Sequence, residues 1–545
     1  MPTRTVDPSR FSMVPRNDVP RSAIDIKFSH KTTFQGGLLV PVYVDEVLPG
    51  DSLRLSMDAF ARLATPIVPP MDNLWLESFF FYCPNRILWA NWERFMGEQV
   101  SPGDSTAFLV PQVVIANATA IPGTIYNSMG LIDPAVGQTY SVSAMPLRAY
   151  AQIFNDWFRD QDIDNLISAD TDDGPDAVGD YALQFRRRRH DYFSTARPWP
   201  QKPSMSAITP SSPILSPPGF DMGTTTMEMT GQTSGGAGAP VSGIGVTALG
   251  PIVGPANLAE SGNRTTAYQE YYSDAVADIR IRASPANDYP DVRVFISDIR
   301  TANQCQLFME RNARGGSRYA ELVRAHFGVV SPDSRLQRPE YLGGGRTMVH
   351  IAPVAQTSET TGTNFLGEQA GIATAVASDH GFSASFTEHG WIIGLVNVRT
   401  DMTYQRGVNR MWFRRTVFDH YFPAWAHLAE QPILSREIWV DGNAADETTV
   451  WGYQERWAEY RWKPGMVTGQ FSSMAGTPLD MWHFAPNWTA RPVLNTTWLV
   501  DDPPLDRVLQ VAAFLNQEIL FDSAFKCRWV RPLPMFSIPG LGGRF

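Results

Sequence analysis

The stretch Ser52-Leu53-Arg54-Leu55-Ser56-Met57-Asp58 puts an apolar side chain at every second position, with Arg54 and Ser56 between them. Such alternation marks a half-buried strand, because successive side chains leave opposite faces of the backbone. Just upstream, Pro49-Gly50-Asp51 forms a turn, and Leu39, Val42, Val44 and Val47 make Leu38 to Val47 a second strand, interrupted by Pro41. Leu74 to Tyr82 is a denser apolar run, and Trp391 to Val398 and Phe525 to Val530 supply further strands far along the chain. The 42 glycines and 42 prolines punctuate short β-branched and aromatic runs, so the chain reads as mainly β, antiparallel and rich in long loops. Strands near both ends imply a barrel or sandwich closed by distant segments.

Helices are expected between the strands. Tyr150, Ile153, Phe154, Trp157 and Phe158 repeat with helical spacing, which predicts an amphipathic helix over about residues 147 to 159. Gln304 to Arg311 predicts a second, stopped by Gly315-Gly316, and Arg318 to Phe327 a third, ended by Gly328. Pro203 to Asn263 contains no Lys or Arg and is crowded with Gly, Thr, Ser, Pro and Ala. It cannot build a conventional core of its own. Its composition suits either a disordered linker or a surface loop ordered by packing against other copies of the chain.

At 545 residues the chain exceeds the size at which one core stops growing, so several domains or one elaborated domain are expected. Charged residues are only 18%, against about 25% in ordinary soluble proteins, while hydrophobic residues reach 43%. Large apolar interfaces between subunits fit that balance. The net charge of −10 opposes a generic polyanion binder, yet only five of the 45 cationic residues are lysines. The arginine bias suits contacts with phosphates and buried interfaces, and equally a compositional bias of the genome. Cys83, Cys305 and Cys527 are widely separated and lack metal-like spacing, which predicts free thiols in a reducing compartment. Met1 to Asp25 lacks the apolar core of a signal peptide, and no apolar run is long enough to span a bilayer.

Enzyme signatures are lacking: there is no Walker A loop, no strand-borne GxGxxG, no HExxH and no GxSxG. Gly343-Gly344-Gly345 reads as a turn or a close approach between chains. His420 and His427 flank Pro423 and read as structural histidines rather than a metal pair. Asp45, Glu46, Asp51, Asp72 and Glu77 include no pair whose spacing selects glycoside hydrolysis. Asp170, Asp172, Asp173 and Asp176 read as a solvated acidic loop, with a weak calcium site as the sharper alternative. The most informative cluster is Arg186-Arg187-Arg188-Arg189-His190-Asp191-Tyr192-Phe193, extended by Arg197, Trp199 and Lys202. Guanidiniums pair with phosphates, and bases stack on aromatic or guanidinium planes, so the set suits single-stranded nucleic acid. It also suits a solvated face or an intersubunit salt-bridge cluster. Arg186, Arg187, Arg188, Arg189 and Lys202, with the terminal Arg4, Arg10 and Arg528, are therefore candidates for contact with DNA or with carboxylates of neighbouring subunits.

Several blocks carry a resemblance. Lys31-Thr32-Thr33-Phe34, Leu39 to Asp51 and Met71-Asp72-Asn73-Leu74 resemble the opening of Microviridae major capsid proteins of the gokushovirus branch. Leu147-Arg148-Ala149-Tyr150, Trp157 to Gln161, Arg189 to Phe193, Pro198 to Lys202, Ala313 to Tyr319, His326 to Asp333 and Arg338 to Gly344 are similar to internal blocks of that family. The tail from Arg531-Pro532-Leu533-Pro534 to Leu541 also matches in style, whereas the four consecutive arginines and the Gly-Gly-Arg-Phe terminus depart from it.

The resemblance implies a single antiparallel eight-stranded jelly roll with long loop and helical insertions, no enzymatic activity and no cofactor. It implies a T=1 icosahedral shell of identical subunits around circular single-stranded DNA, present in the virion and assembled in the bacterial host cytoplasm without membrane insertion. Small DNA-binding and internal scaffolding viral proteins and a host-cell surface receptor are the further partners it implies. Residues 203–272 are then a surface insertion forming a protrusion at the three-fold axis, where Val241, Ile244, Val246, Leu249, Ile252 and Val253 of three copies bury one another. The competing expectations are a phage-associated carbohydrate-degrading or surface-binding β protein, which needs two carboxylates facing each other in a pocket, and a stand-alone nucleic-acid binder, which needs a continuous basic groove.

Overall fold

The computed structural model describes residues 21–101, 103–202, 296–315, 325, 337–357, 367–443, 447–510 and 517–535. The chain divides into two units, Met1–Lys202 with Met309–Phe545, and Pro203–Phe308. Of the second unit only 296–308 are described, as part of the helix Ile296–Gly315. This helix contains the expected Gln304 to Arg311 segment. The third expected helix, residue 325 apart, and the six apolar residues Val241 to Val253 lie outside the described residues.

In chain order the strands are β1 (Ser22–Phe34), β2 (Val40–Val47), β3 (Ser52–Leu63), β4 (Leu74–Pro84), β5 (Gln112–Ala116), β6 (Thr139–Ser143), β7 (Glu340–Met348), β8 (His350–Ala355), β9 (Gln369–Ser385) and β10 (Gly390–Thr400). They continue with β11 (Thr403–Tyr404), β12 (Glu430–Leu434), β13 (Val450–Glu455), β14 (Gly465–Met466) and β15 (Ile519–Arg531). One sheet has the order β1-β15-β3-β9-β8 and a second the order β2-β10-β4-β7. The pairs nest in sequence: β1 with β15, β2 with β10, β3 with β9 and β4 with β7, all antiparallel. All five strands expected from the sequence lie in these two sheets. Pro41 is tolerated because β2 is an edge strand, where a missing amide donor breaks no inner ladder.

The alternation of β3 continues to its end, with Leu53, Leu55, Met57, Ala59, Ala61 and Leu63 turned inward. They meet Phe525 and Trp529 of β15 and Tyr43, Leu76, Phe80, Ile392 and Val396 of the facing sheet in the main core. β4 is buried on both faces. Its Phe81 and Cys83, with Ile393 and Leu395 of β10, pack on a second core built by the helix Met145–Ile153 through Leu147, Tyr150 and Ile153. That double burial is why the Leu74 run is dense rather than alternating. The same helix ends in a wider turn over Phe154–Phe158, within the range expected from periodicity. The four-stranded sheet is thus covered on both sides, whereas the outward face of β3, β9 and β15 stays exposed, with Arg54, Lys526 and Arg528 on the same face as the open apolar Phe60, Ile372, Val376 and Leu520.

The glycine triplet lies within β7 and is a close approach between strands of the one chain. A Cβ at Gly344 would collide with the Ser78 carbonyl, and one at Gly345 with the His380 ring. The space so freed lets His380 of β9 span the two sheets, with Nδ1 2.8 Å from Ser78 Oγ and Nε2 2.9 Å from Thr347 Oγ1.

Candidate functional site

Residues 184 to 188 run as an extended segment between two others. Leu39 and Arg186 exchange backbone hydrogen bonds with Gln184 and Gly37 on one side, and Arg188 and Asp501 with Leu499 and Arg186 on the other. Side chains of an extended segment alternate, so the four arginines are dealt out in different directions. Arg186 pairs with Glu77 and lies over the Phe79 ring. Arg187 turns the other way, to Asp164 and the Phe154 ring. Arg188 donates to the Val500 carbonyl at 3.1 Å and lies 4.7 Å over the Trp498 ring. Arg189 reaches Asp401 at 2.8 Å.

The centre of this arrangement is Glu77, the one charged residue on a mostly apolar strand. Besides Arg186, it faces Arg346 at 3.2 Å, Arg399 at 3.8 Å and Arg189 at 3.9 Å. Burial pushes the Glu77 carboxyl up, but Arg186, Arg399 and Arg346 together hold it below the usual range. Burial pulls Arg399 down to about 10. Asp501, fully enclosed, is pushed up to about 6 by burial against the opposing pull of Arg399, Arg188 and Arg186. The cluster joins β4, β7, β10 and the arginine segment.

The run therefore meets carboxylates and aromatic rings of its own chain, with Arg186, Arg187 and Arg188 turned inward and Arg189 partly open to solvent. Lys202 likewise pairs with Asp162 at 2.6 Å. Arg528 is the exposed member of the set, with Asp25 at 3.9 Å, while Arg4 and Arg10 lie outside the described residues. The acidic loop needs correction: it is not simply solvated. Asp176 and Asp172 accept from the buried Arg148, at 2.5 and 3.2 Å, and Asp173 accepts from Trp89 Nε1 at 2.7 Å. A guanidinium already supplies the positive charge a cation would bring there. Other carboxylates considered for hydrolysis hold local structure: Asp51 accepts from the Leu48 amide, and Asp72 from the Phe484 and Asn73 amides. Sequence reasoning missed Arg346, Arg399, Asp401 and Asp501. The available signal was a charge inside an otherwise mostly apolar strand, which holds for Arg399 in β10; Arg346 follows the glycine triplet, and Asp401 and Asp501 lie outside the strands.

A family model described as capsid protein (F protein) matches residues 12–541. The chain belongs to that family. It is 37% identical over 540 residues to capsid protein VP1 of Bdellovibrio phage phiMH2K, covering 98% of each chain. It is 35% identical over 594 residues to capsid protein VP1 of Chlamydia phage 1, again covering 98% of each, and 34% identical over 567 residues to that of Spiroplasma virus 4, covering 97% of each. The blocks quoted from the sequence thus belong to a Microviridae capsid protein of gokushovirus type. The capsid chain is a structural component of the virion and not an enzyme.

Proposed function

We propose that this chain is the major capsid protein that self-assembles into a T=1 icosahedral shell around circular single-stranded DNA. The nested strand pairs, divided between two facing sheets, support reading the core as a jelly roll. Carrying the self-assembly reading is an exposed aromatic surface on the long segment between β11 and β12. Trp412 and Phe418 are 73% and 69% exposed, Val417, Tyr421 and Phe422 are also open to solvent, and so is Tyr460, which follows β13. Phe418 and Phe422 each have ring centroids 5.2 Å from Trp425, and Tyr421 packs edge-on to Trp457. At about 150–250 Å² per aromatic side chain, the exposed part of the five aromatic residues is roughly 600 Å². A monomer rarely shows a contiguous apolar patch much above a few hundred Å², and about 800 Å² is one partner's share of a stable interface. The occupant is a second copy of the same chain.

The test is the pair Trp412→Ser and Phe418→Ser in the full chain, read by electron microscopy and sedimentation. Loss of particles with an unchanged melting temperature is expected. A normal yield of particles would remove this surface from the interface, and a wild-type chain that never forms particles would remove self-assembly.

Residues 203–272 are proposed as the three-fold protrusion used in host attachment, by virtue of their low charge and their apolar tail Val241 to Val253. Replacing residues 206–264 by a short linker should abolish attachment to host cells, and full infectivity would remove the receptor role. The internal scaffolding and DNA-binding proteins implied by the family resemblance complete the proposed assembly.

A further inference from the structure

On the outward face of the five-stranded sheet, like charges stand side by side. Arg528 of β15 is directly opposite Arg54 of β3, and Lys27 of β1 is directly opposite Lys526 of β15. Like charges in facing positions weaken a sheet unless something answers them. Lys526 has Asp58 at 2.7 Å, and Arg528 has the exposed Asp25 at 3.9 Å. Arg54 takes part in no ion pair among the described residues. A third guanidinium, Arg21, reaches Ser52 Oγ at 3.2 Å and the Gly50 and Val530 carbonyls. Ser52 Oγ and Ser385 Oγ lie 2.8 Å apart, and Arg54 is in register with Ser383. Between these groups is a shallow depression lined by Ser52, Arg54, Ser383, Ser385, Arg528 and Val530, with no carboxylate in its lining.

We propose that this depression binds phosphodiester oxygens of a single-stranded nucleic acid, and it rests on the reading that the shell encloses such DNA. Guanidinium forks match phosphate oxygens in geometry and charge, and serine hydroxyls complete the donor set. Lys526 lies two residues from Arg528 along β15, about 6.6 Å away, with Lys27 of β1 opposite it, so a backbone running along the strand direction meets further cations. No aromatic ring lines the depression. The site therefore holds phosphates and leaves bases unread, which gives binding without sequence preference.

The test measures anisotropy of a fluorescein-labelled oligothymidylate with the unassembled full chain across a sodium chloride series. Arg54→Gln with Arg528→Gln should flatten the slope of log affinity against log salt by roughly 1.4, at about 0.7 per lost phosphate contact on a single strand. Arg54→Lys with Arg528→Lys should keep the slope. If the glutamine pair fails to fold, Ser383→Asp places a negative charge in the depression and should weaken binding in the same assay. An unchanged slope in the glutamine variant, or unchanged affinity in Ser383→Asp, overturns the site while leaving DNA enclosure standing. Loss of particles without a change in slope assigns the depression to a neighbouring subunit's acidic residues instead. A wild-type chain that does not bind the oligothymidylate overturns both this site and the enclosure reading.

Discussion

Substituting Glu77 by Gln removes the one carboxylate shared by Arg186, Arg189, Arg346 and Arg399. The contributions are unequal. Arg399 and Arg186 are 5% and 16% exposed, so their charges lose a partner where water cannot replace it. Arg189 and Arg346 are far more exposed and keep Asp401 nearby, so screening makes their share small. Breaking a buried pair from one side costs about 3–5 kcal/mol; because the glutamine oxygen still accepts one hydrogen bond, about 2–4 kcal/mol is expected at pH 7. Urea unfolding of unassembled subunits, followed by tryptophan fluorescence, measures it.

The sign with pH follows from the lowered Glu77 carboxyl. Its stabilisation is present above the ordinary value of 4.5 and disappears as pH falls through the lower folded value. Wild type and variant should therefore converge toward pH 3. Replacing both Glu77 and Arg399 by Met should recover part of the loss, because no unpaired charge then remains between these two. A change below about 0.5 kcal/mol at pH 7, the range of an ordinary surface substitution, would refute the idea that this cluster locks the arginine segment to the sheet.

The other expectations follow from the same geometry. Burial lowers the His380 ring below its ordinary 6.5, so the fold favours the neutral ring; that stability is complete above pH 6.5 and is lost as pH falls toward the folded value. The urea midpoint should drop between pH 6.5 and 5 in wild type and less in His380→Gln, and parallel profiles would contradict the assignment. Trp412→Ser with Phe418→Ser should abolish particles, deletion of residues 206–264 should abolish attachment, and the Arg54 and Arg528 glutamine pair should flatten the salt dependence of oligonucleotide binding.

The strands legible in the sequence were those whose environment is simple. β3 has one wet and one dry face, so it alternates, and β4 and β10 are dry on both, so they read as runs. β1 escaped because, at an edge, it is largely open to solvent and carries Asp25, Lys27 and Lys31 among its apolar residues. β9 escaped because the inward residues of its first half are Gly371, Ala373, Ala375 and Ala377, too small to announce a core-facing stripe, and a break in the alternation precedes the buried His380 and Phe382. The arginine run was conspicuous but its destination was not. Four adjacent cations read as one basic surface, whereas an extended backbone sends neighbours to opposite sides, and their partners at 77, 164 and 401 are remote in sequence. Arg528 is open to solvent because it lies in the wet phase of β15.

The position of β15 has a consequence for synthesis. The strand at residues 519 to 531 sits between β1 and β3, so two strands made first are separated by one made last. At about 5–20 residues per second, the ribosome takes roughly half a minute or more to travel from β3 to β15. During that interval both flanking edges lack their central partner. A chain that stops short of residue 531 cannot complete the sheet, and so offers a growing lattice no finished subunit. Placing the last strand in the middle makes folding itself a check on length.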